Sequence, residues 1–384
     1  MFTKNIGFTN FQLKKKDKSI RSKLNLLLKK DDQVIKSLRK SYKDIHNKKI
    51  FKIFKKKLDY RVIGMGGSSL GSQAIYDFLK YKIKKNFFFV NNLQAKQKIK
   101  SNKLYNNLII SKSGNTIETI VNSNVLIKKK EKNLFITENK ESYLKKIAKK
   151  LSAEVVDHNN YIGGRYSVLS EVGMLPSELM GLNPQKFRQL NNLVRNKSFM
   201  NSLIKNVSAT LFYLRKKKFN SIIINYDETS ANLFNWYQQL IAESLGKKGN
   251  GIFPIISNMP KDNHSVMQLY LDGFKNNFFT FFFVKENNST KIKKDEILES
   301  FQHLKHKNLN EIIYAQKKAT ENIFKIKKIP FRSFEINRRD EKTLGELFCF
   351  FILETILIGN CLNINPFNQP AVELIKKETT KILN

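Results

Sequence analysis

Cysteine is scarce in this 384-residue chain. It has only Cys349 and Cys361, both in an apolar stretch, and their spacing fits no CxxC metal or redox pattern. They are expected as reduced core residues of a cytosolic protein. No His, Cys and Asp cluster has the spacing of a metal site, so no metal is expected. Long Gly/Pro linkers are missing. The N-terminus, MFTKNIGFTNFQLKKKDKS, lacks the continuous apolar block of a signal peptide. Long apolar runs are missing too. The most apolar stretch, residues 344–364, is interrupted by Glu346, Glu354, Asn360 and Asn363, which predicts a buried helix rather than a membrane span. Acidic residues are few: 32 Asp and Glu stand against 70 Lys and Arg, a formal charge of +38. Such an excess alone points to a polyanionic partner. However, Lys doublets and triplets recur along the whole chain, and Lys, Asn, Ile and Phe are abundant together, the set that A/T-rich codons encode. The charge therefore reads as compositional drift on solvated faces, and no nucleic-acid or membrane partner is expected. A polyanion-binding role would show as DNA affinity that falls steeply with salt. A broadly positive field also draws in small anionic substrates.

Apolar residues make up 41 % of the chain, enough for a substantial core, and the length suits two domains. Residues 24–40, LNLLLKKDDQVIKSLRK, have the helical spacing of an amphipathic helix. Beyond them, short apolar runs (YRVIGM, NFFFVNN, NLIISKS, NLFITEN, AEVVDH) are separated by helical lengths. After a change of composition near residues 181–192 the alternation restarts with NSIIINYD, GIFPIIS and NFFTFFFVKE. Continuous apolar strands suit parallel sheets covered on both faces. The fold class is therefore α/β, as two successive units of similar size. Residues 285–295 read as a solvated loop.

Two glycine- and serine-rich segments follow apolar runs, where open parallel sheets bind ligands. The first, residues 63–72, reads IGMGGSSLGS. It breaks the dinucleotide fingerprint at Ser69 and the triphosphate loop at Ser72, where Lys is required. The second, residues 111–119, reads SKSGNTIET. Ser111, Ser113 and Thr116 offer hydroxyls, Lys112 a charge, and Gly114 a turn that aims backbone N–H groups inward. Asn115 and Glu118 have capping-box spacing, so a helix is expected to begin there with its positive end toward an anion. Side by side, the two loops suit one phosphomonoester.

Four more segments carry chemistry: GGRYSVLSEVGMLP with Arg165, QQLIAESLGKKGNG with Gln239 and Glu243, DNHSVMQLYLDG with His264, and NPFNQPAVELIKK with Gln369, Glu373 and Lys376. Together with the loops, in this order over residues 60–377, they resemble the glucose-6-phosphate isomerase (phosphoglucose isomerase) family, built from two sugar-isomerase (SIS) domains. The resemblance implies a first SIS domain over 51–185 and a second over 186–384 with C-terminal helices, each a mainly parallel sheet flanked by helices, preceded by a helical segment over 1–50. It implies interconversion of glucose 6-phosphate and fructose 6-phosphate in the cytoplasm, in glycolysis and gluconeogenesis, without cofactor or metal. Glu243 would be the base that moves a proton between adjacent carbons. Arg165 would stabilise the enediolate, and His264, from the neighbouring subunit of a homodimer, would open the sugar ring with Lys376. Phosphate and substrate contacts would come from Ser68, Ser111, Lys112, Ser113, Thr116, Gln239 and Gln369. The segment that usually reads QPGVExGK here reads QPAVELIK, with Ala371 and Ile375 in place of glycines. Rival readings are an isomerase that also accepts mannose 6-phosphate, a sugar-phosphate-binding regulator without catalysis, and the polyanion binder. The spacing of Glu243 and Lys247 also fits a surface ion pair. His46, His158, His303 and His306 are expected to be solvated.

Overall fold

The computed structural model describes residues 2–13, 18–44, 48–55, 58–96, 103–293 and 299–384. It contains two five-stranded sheets. The first is built from β2 (Asp59–Ile63), β3 (Asn86–Val90), β4 (Asn106–Ile110), β5 (Lys132–Glu138) and β6 (Glu154–His158), all parallel, in the order β3-β2-β4-β5-β6. The second takes β7 (Asn220–Asn225), β8 (Phe253–Asn258), β9 (Asn277–Val284) and β10 (Phe331–Ile336) in parallel, and β1 (Ile6–Thr9) joins its edge antiparallel to β10. Its order is β1-β10-β9-β7-β8. All five residues of β4 and all eight of β9 are buried, the pattern of strands covered on both faces. The α/β architecture is as the apolar runs predicted. The N-terminal stretch departs from expectation: it is not purely helical, because residues 6–9 form β1. That strand is short and half-buried, too slight a pattern to stand out.

The helices are α1 (Lys18–Lys29), α2 (Gln33–Ser37), α3 (Lys48–Phe54), α4 (Leu70–Phe78), α5 (Ile117–Leu126), α6 (Tyr143–Lys150), α7 (Glu171–Leu179), α8 (Pro184–Phe187), α9 (Leu190–Arg195), α10 (Lys197–Arg215), α11 (Ala231–Leu245), α12 (Met267–Asp272), α13 (Leu309–Ile326), α14 (Glu341–Cys361) and α15 (Val372–Leu383). The single amphipathic helix expected over residues 24–40 is two helices. Asp32 caps α2, its carboxylate accepting from the N–H groups of Val34 and Ile35 at 2.8 and 3.3 Å, and so ends the helical run before it. The apolar stretch 344–364 lies within and just beyond α14, which is buried along nearly its whole length. Cys349 is buried, Cys361 half-buried, and both are free.

Buried charges inside this core are paired, as desolvation demands. Glu354 of α14 meets Arg332 of β10 and the amide of Asn206, both also buried, and Arg332 Nη2 donates to Tyr237 Oη on α11 at 3.2 Å. Helix α11 is thus fastened from below. His158 departs from the expectation of a solvated side chain: it is buried, with Nδ1 3.6 Å from Glu171, and burial lowers its pKa to about 4. His303 and His306 are exposed as expected, and His46 lies outside the described residues. So do residues 294 and 295 of the expected loop 285–295, the remainder of which is irregular apart from a bridge at Lys291.

Candidate active site

Chain order places β3 on one side of β2 and β4 on the other, so the topological switch point of the first sheet lies between β2 and β4. Ligands bind at that crevice, beyond the carboxyl ends of the strands. Both predicted phosphate loops open there. The loop after β2 passes through a short 3₁₀ turn, Gly66–Ser68, with Gly66 at φ +53°, a left-handed conformation that favours glycine. A carbon added at Gly67 would lie 2.1 Å from the backbone of Gly164, and one added at Gly66 would lie 2.7 Å from Gln239 Nε2. The missing side chains let this loop seat directly against the Arg165 segment and against α11.

In the loop after β4, Ser111 Oγ and Thr116 Oγ1 share a hydrogen bond of 2.9 Å. Ser113 Oγ accepts from Asn115 N at 3.3 Å. The Lys112 amine donates to Asn160 O at 2.8 Å and lies 3.3 Å from Glu138. The expected capping box is absent. Helix α5 begins one residue later with Thr116 at its N-cap, because Asn115 Oδ1 is turned to accept from Tyr143 N at 2.9 Å.

Arg165 is the hub of the site. It lies in a 3₁₀ turn, Gly164–Leu169, and its side chain is 2 % exposed. Its Nε donates to Ser244 Oγ at 2.8 Å, its Nη1 to Glu243 Oε2 at 3.1 Å and to Gln369 Oε1 at 2.8 Å. Its Nη2 donates to the carbonyls of Pro366 and Asn368 at 2.7 and 3.2 Å. Tyr166 Oη bonds Ser244 Oγ at 2.8 Å and Pro366 O at 3.1 Å; burial pushes its pKa up to about 12. One turn of α11 before Glu243, Gln239 Nε2 donates to Glu243 Oε1 at 3.0 Å, as their four-residue spacing predicts. Both carboxylate oxygens are therefore oriented, while the side chain stays 31 % exposed.

Glu243 borders a cavity of about 620 Å³ bounded by the end of α11 and by residues 364–372, including Lys247, Gln369 and Ala371. The two phosphate loops do not line this cavity; the first reaches the carboxylate through Gly66 and Gln239. Lys247 forms no ion pair with Glu243. Its Nζ donates to Asn368 O at 2.5 Å, tying α11 to the 366–369 loop, and burial followed by the nearby Arg165 lowers its pKa to about 8. Ser244, Tyr166, Lys247 and the carbonyls of 366 and 368 are site components that residue type alone did not single out. All sit in segments already marked: Ser244, Tyr166 and Lys247 one or four residues from Arg165 or Glu243, and the two carbonyls beside Gln369. Two predicted residues stand apart in this single chain. Lys376 is exposed on α15 and pairs with Glu373 at 2.7 Å. His264 ends a 3₁₀ turn after β8, is exposed, and forms no hydrogen bond or ion pair among the described residues. No group of three or more His, Cys, Asp or Glu placed to hold a metal occurs among the described residues.

The chain is similar to known proteins over most of its length. The chain is 34 % identical over 340 residues to glucose-6-phosphate isomerase of Methanocaldococcus jannaschii, covering 82 % of each chain. It shares its fold with a hypothetical protein from Thermus thermophilus (TM-score 0.81, 22 % identity, 95 % of this chain and 94 % of that one). The same holds for a glucose-6-phosphate isomerase from Chlamydia trachomatis (TM-score 0.74, 17 % identity, 99 % and 89 %). The profile of the family described as Phosphoglucose isomerase matches residues 14–384, and the chain belongs to that family.

Proposed function

We propose that this chain reversibly converts glucose 6-phosphate to fructose 6-phosphate in the cytoplasm, through ring opening and a cis-enediolate. The observation that carries the reading is the Glu243 carboxylate, held through one oxygen by Arg165 and through the other by Gln239 at the edge of a cavity. Each oxygen keeps a lone pair. A carboxylate so held removes the proton beside the carbonyl and returns it to the neighbouring carbon, an arrangement that contributes on the order of 10²–10⁴-fold. The negative charge that develops falls to Arg165, which is always protonated. Its contacts to Ser244, Pro366, Asn368 and Gln369 fix it in place before the reaction, so little reorganisation is needed. The phosphate is assigned to Ser68, Ser111, Lys112, Ser113 and Thr116, and a sugar hydroxyl to Gln369.

His264 and Lys376 act in ring opening, with His264 supplied by a second copy in a homodimer. The support for a second copy is α15. None of its twelve residues is buried, and Leu374, Ile375, Ile382 and Leu383 are each about 70 % exposed or more. A helix this short is marginal in water without tertiary packing.

The test is Glu243→Gln, which keeps shape and removes the base. Turnover of fructose 6-phosphate is expected to fall at least about 10²-fold, with KM nearly unchanged. Exchange of the substrate C2 proton with heavy water is expected to fall in step. Wild-type turnover in this variant would refute the assignment.

A further inference from the structure

A second cavity, of about 610 Å³, lies outside the catalytic centre and shares no residue with it. Its walls come from five parts of the chain: residues 4–5 before β1, Lys40 after α2, the end of the turn after α4, the α8–α9 segment, and the start of α14 with the residues before it. Six of its twelve lining residues are Lys or Arg, four are amides, two are acids, and none is apolar. In the whole chain Lys and Arg account for 70 of 384 residues, so the lining is enriched more than twofold even over this basic background. Compositional drift puts lysine on solvated surfaces one at a time. It does not account for the convergence of distant lysines on one recess.

The charges inside the recess do not balance. Glu341 is matched by Lys82 at 2.7 Å and Asp340 by Arg338 at 2.9 Å. Lys4, Lys40 and Lys186 have no ion-pair partner among the described residues, whereas Lys342 lies in the field of the buried Glu346 on the same helix. Three unmatched cations facing a common space repel one another, a cost that an anion of matching charge removes. One phosphomonoester carries at most two negative charges, fewer than the recess presents. The amides of Asn5, Gln185, Gln189 and Asn192 add donors and acceptors that can orient a ligand, and the volume falls in the usual range of small-molecule pockets, roughly 300–1,000 Å³. We propose that this cavity binds a small molecule carrying two or more phosphate groups, as in a nucleoside diphosphate or a sugar bisphosphate. Such a ligand would staple the five chain segments together and raise the stability of the folded state by mass action.

The experiment is calorimetric titration of the full-length protein with inorganic tripolyphosphate at fixed ionic strength, repeated on two variants. Lys40→Glu with Lys186→Glu reverses two exposed cations of the recess. Lys112→Ala alters the phosphate loop of the catalytic centre. Tripolyphosphate is expected to bind wild type and Lys112→Ala alike, to bind the double variant at least about tenfold more weakly, and to raise the melting temperature only where it binds. If the double variant does not fold, Lys4→Ala with Lys342→Ala takes its place under the same two outcomes. Binding that survives loss of the recess lysines, binding abolished by Lys112→Ala, or a melting shift reproduced by chloride at equal ionic strength would overturn the proposal.

Discussion

Replacing Arg165 by Lys keeps the charge and removes the fork, which separates the two roles of this side chain. The guanidinium makes five hydrogen bonds, to Ser244, Glu243, Gln369, Pro366 and Asn368. An ammonium has three N–H groups on one nitrogen, so at least two acceptors lose a donor. Hydrogen bonds to charged groups contribute about 1.5–3 kcal/mol each, which gives about 3–6 kcal/mol for two. Part of that is recovered, because Pro366 O still receives Tyr166 and Asn368 O still receives Lys247. The acceptors left most exposed to loss are Glu243 and Gln369, the groups assigned to the reacting sugar. The penalty should therefore appear in turnover more than in folding: kcat lower by roughly 10²–10³, as for the loss of one donor to a developing oxyanion, with a loss of about 1–2 kcal/mol in urea unfolding. A coupled dehydrogenase assay of fructose 6-phosphate conversion, run beside urea melts, reads both. A kcat within about fivefold of wild type in a fully folded variant would refute the claim that the fork, rather than the charge, is what the site requires.

Three further outcomes are expected. Gly67→Ala places a carbon 2.1 Å from the Gly164 backbone, so it should cost about 1–3 kcal/mol by denaturant melts and lower turnover by moving Arg165; an unchanged midpoint contradicts the close seating of this loop. Lys247, with its pKa lowered to about 8, is charged below that pH and neutral above it, so its hold on Asn368 O weakens as pH rises and kcat/KM should decline above about pH 8. Lys247→Arg stays protonated and should push that decline upward, so coincident pH profiles for the two proteins would remove Lys247 from the site. Because the unfolded lysine holds its proton to higher pH, the same group makes folding stability rise, not fall, between pH 8 and its ordinary value near 10.4. Finally, Glu243→Gln and His264→Asn, each inactive alone, should recover roughly a quarter of wild-type turnover after subunit exchange, because half the dimers are mixed and each mixed dimer holds one intact site; no recovery would place His264 within its own chain's site.

What the sequence discloses about this site follows from where the information is local. Continuous apolar runs mark β2, β4, β5, β7 and β9 because a parallel strand buried on both faces leaves few polar positions. β10 went unread because FRSFEI mixes a buried Arg332 and Ser333 into the strand; that arginine is tolerated only because Glu354, far along the chain, meets it. The pairing of Gln239 with Glu243 is visible as helical spacing. The encirclement of Arg165 is not, since Pro366, Asn368 and Gln369 lie some two hundred residues away and two of them contribute backbone oxygens that carry no residue signature. His158 was misjudged for a related reason. A lone histidine at a strand end looks solvated until Glu171, from another element, closes over it.

Four strands of each sheet (β3-β2-β4-β5 and β8-β7-β9-β10) repeat one parallel order, yet the loops at their carboxyl ends differ in charge. In the first sheet, the loops after β2 and β4 present glycines, hydroxyls and Lys112. In the second, the corresponding loops after β7 and β9 present Asp227 and Glu286, both drawn onto Arg339 at 2.7 Å. Both carboxylates are held by Arg339, and neither loop carries a glycine. The helix that leaves this second crevice is α11, which points away from that end and carries Gln239 and Glu243 to the Arg165 segment. In the proposed reaction the first unit holds the sugar phosphate and the second supplies the base. On that reading the dianion and the Glu243 carboxylate stand on separate scaffolds, so that the anion is held without raising the negative field on Glu243 from its own crevice.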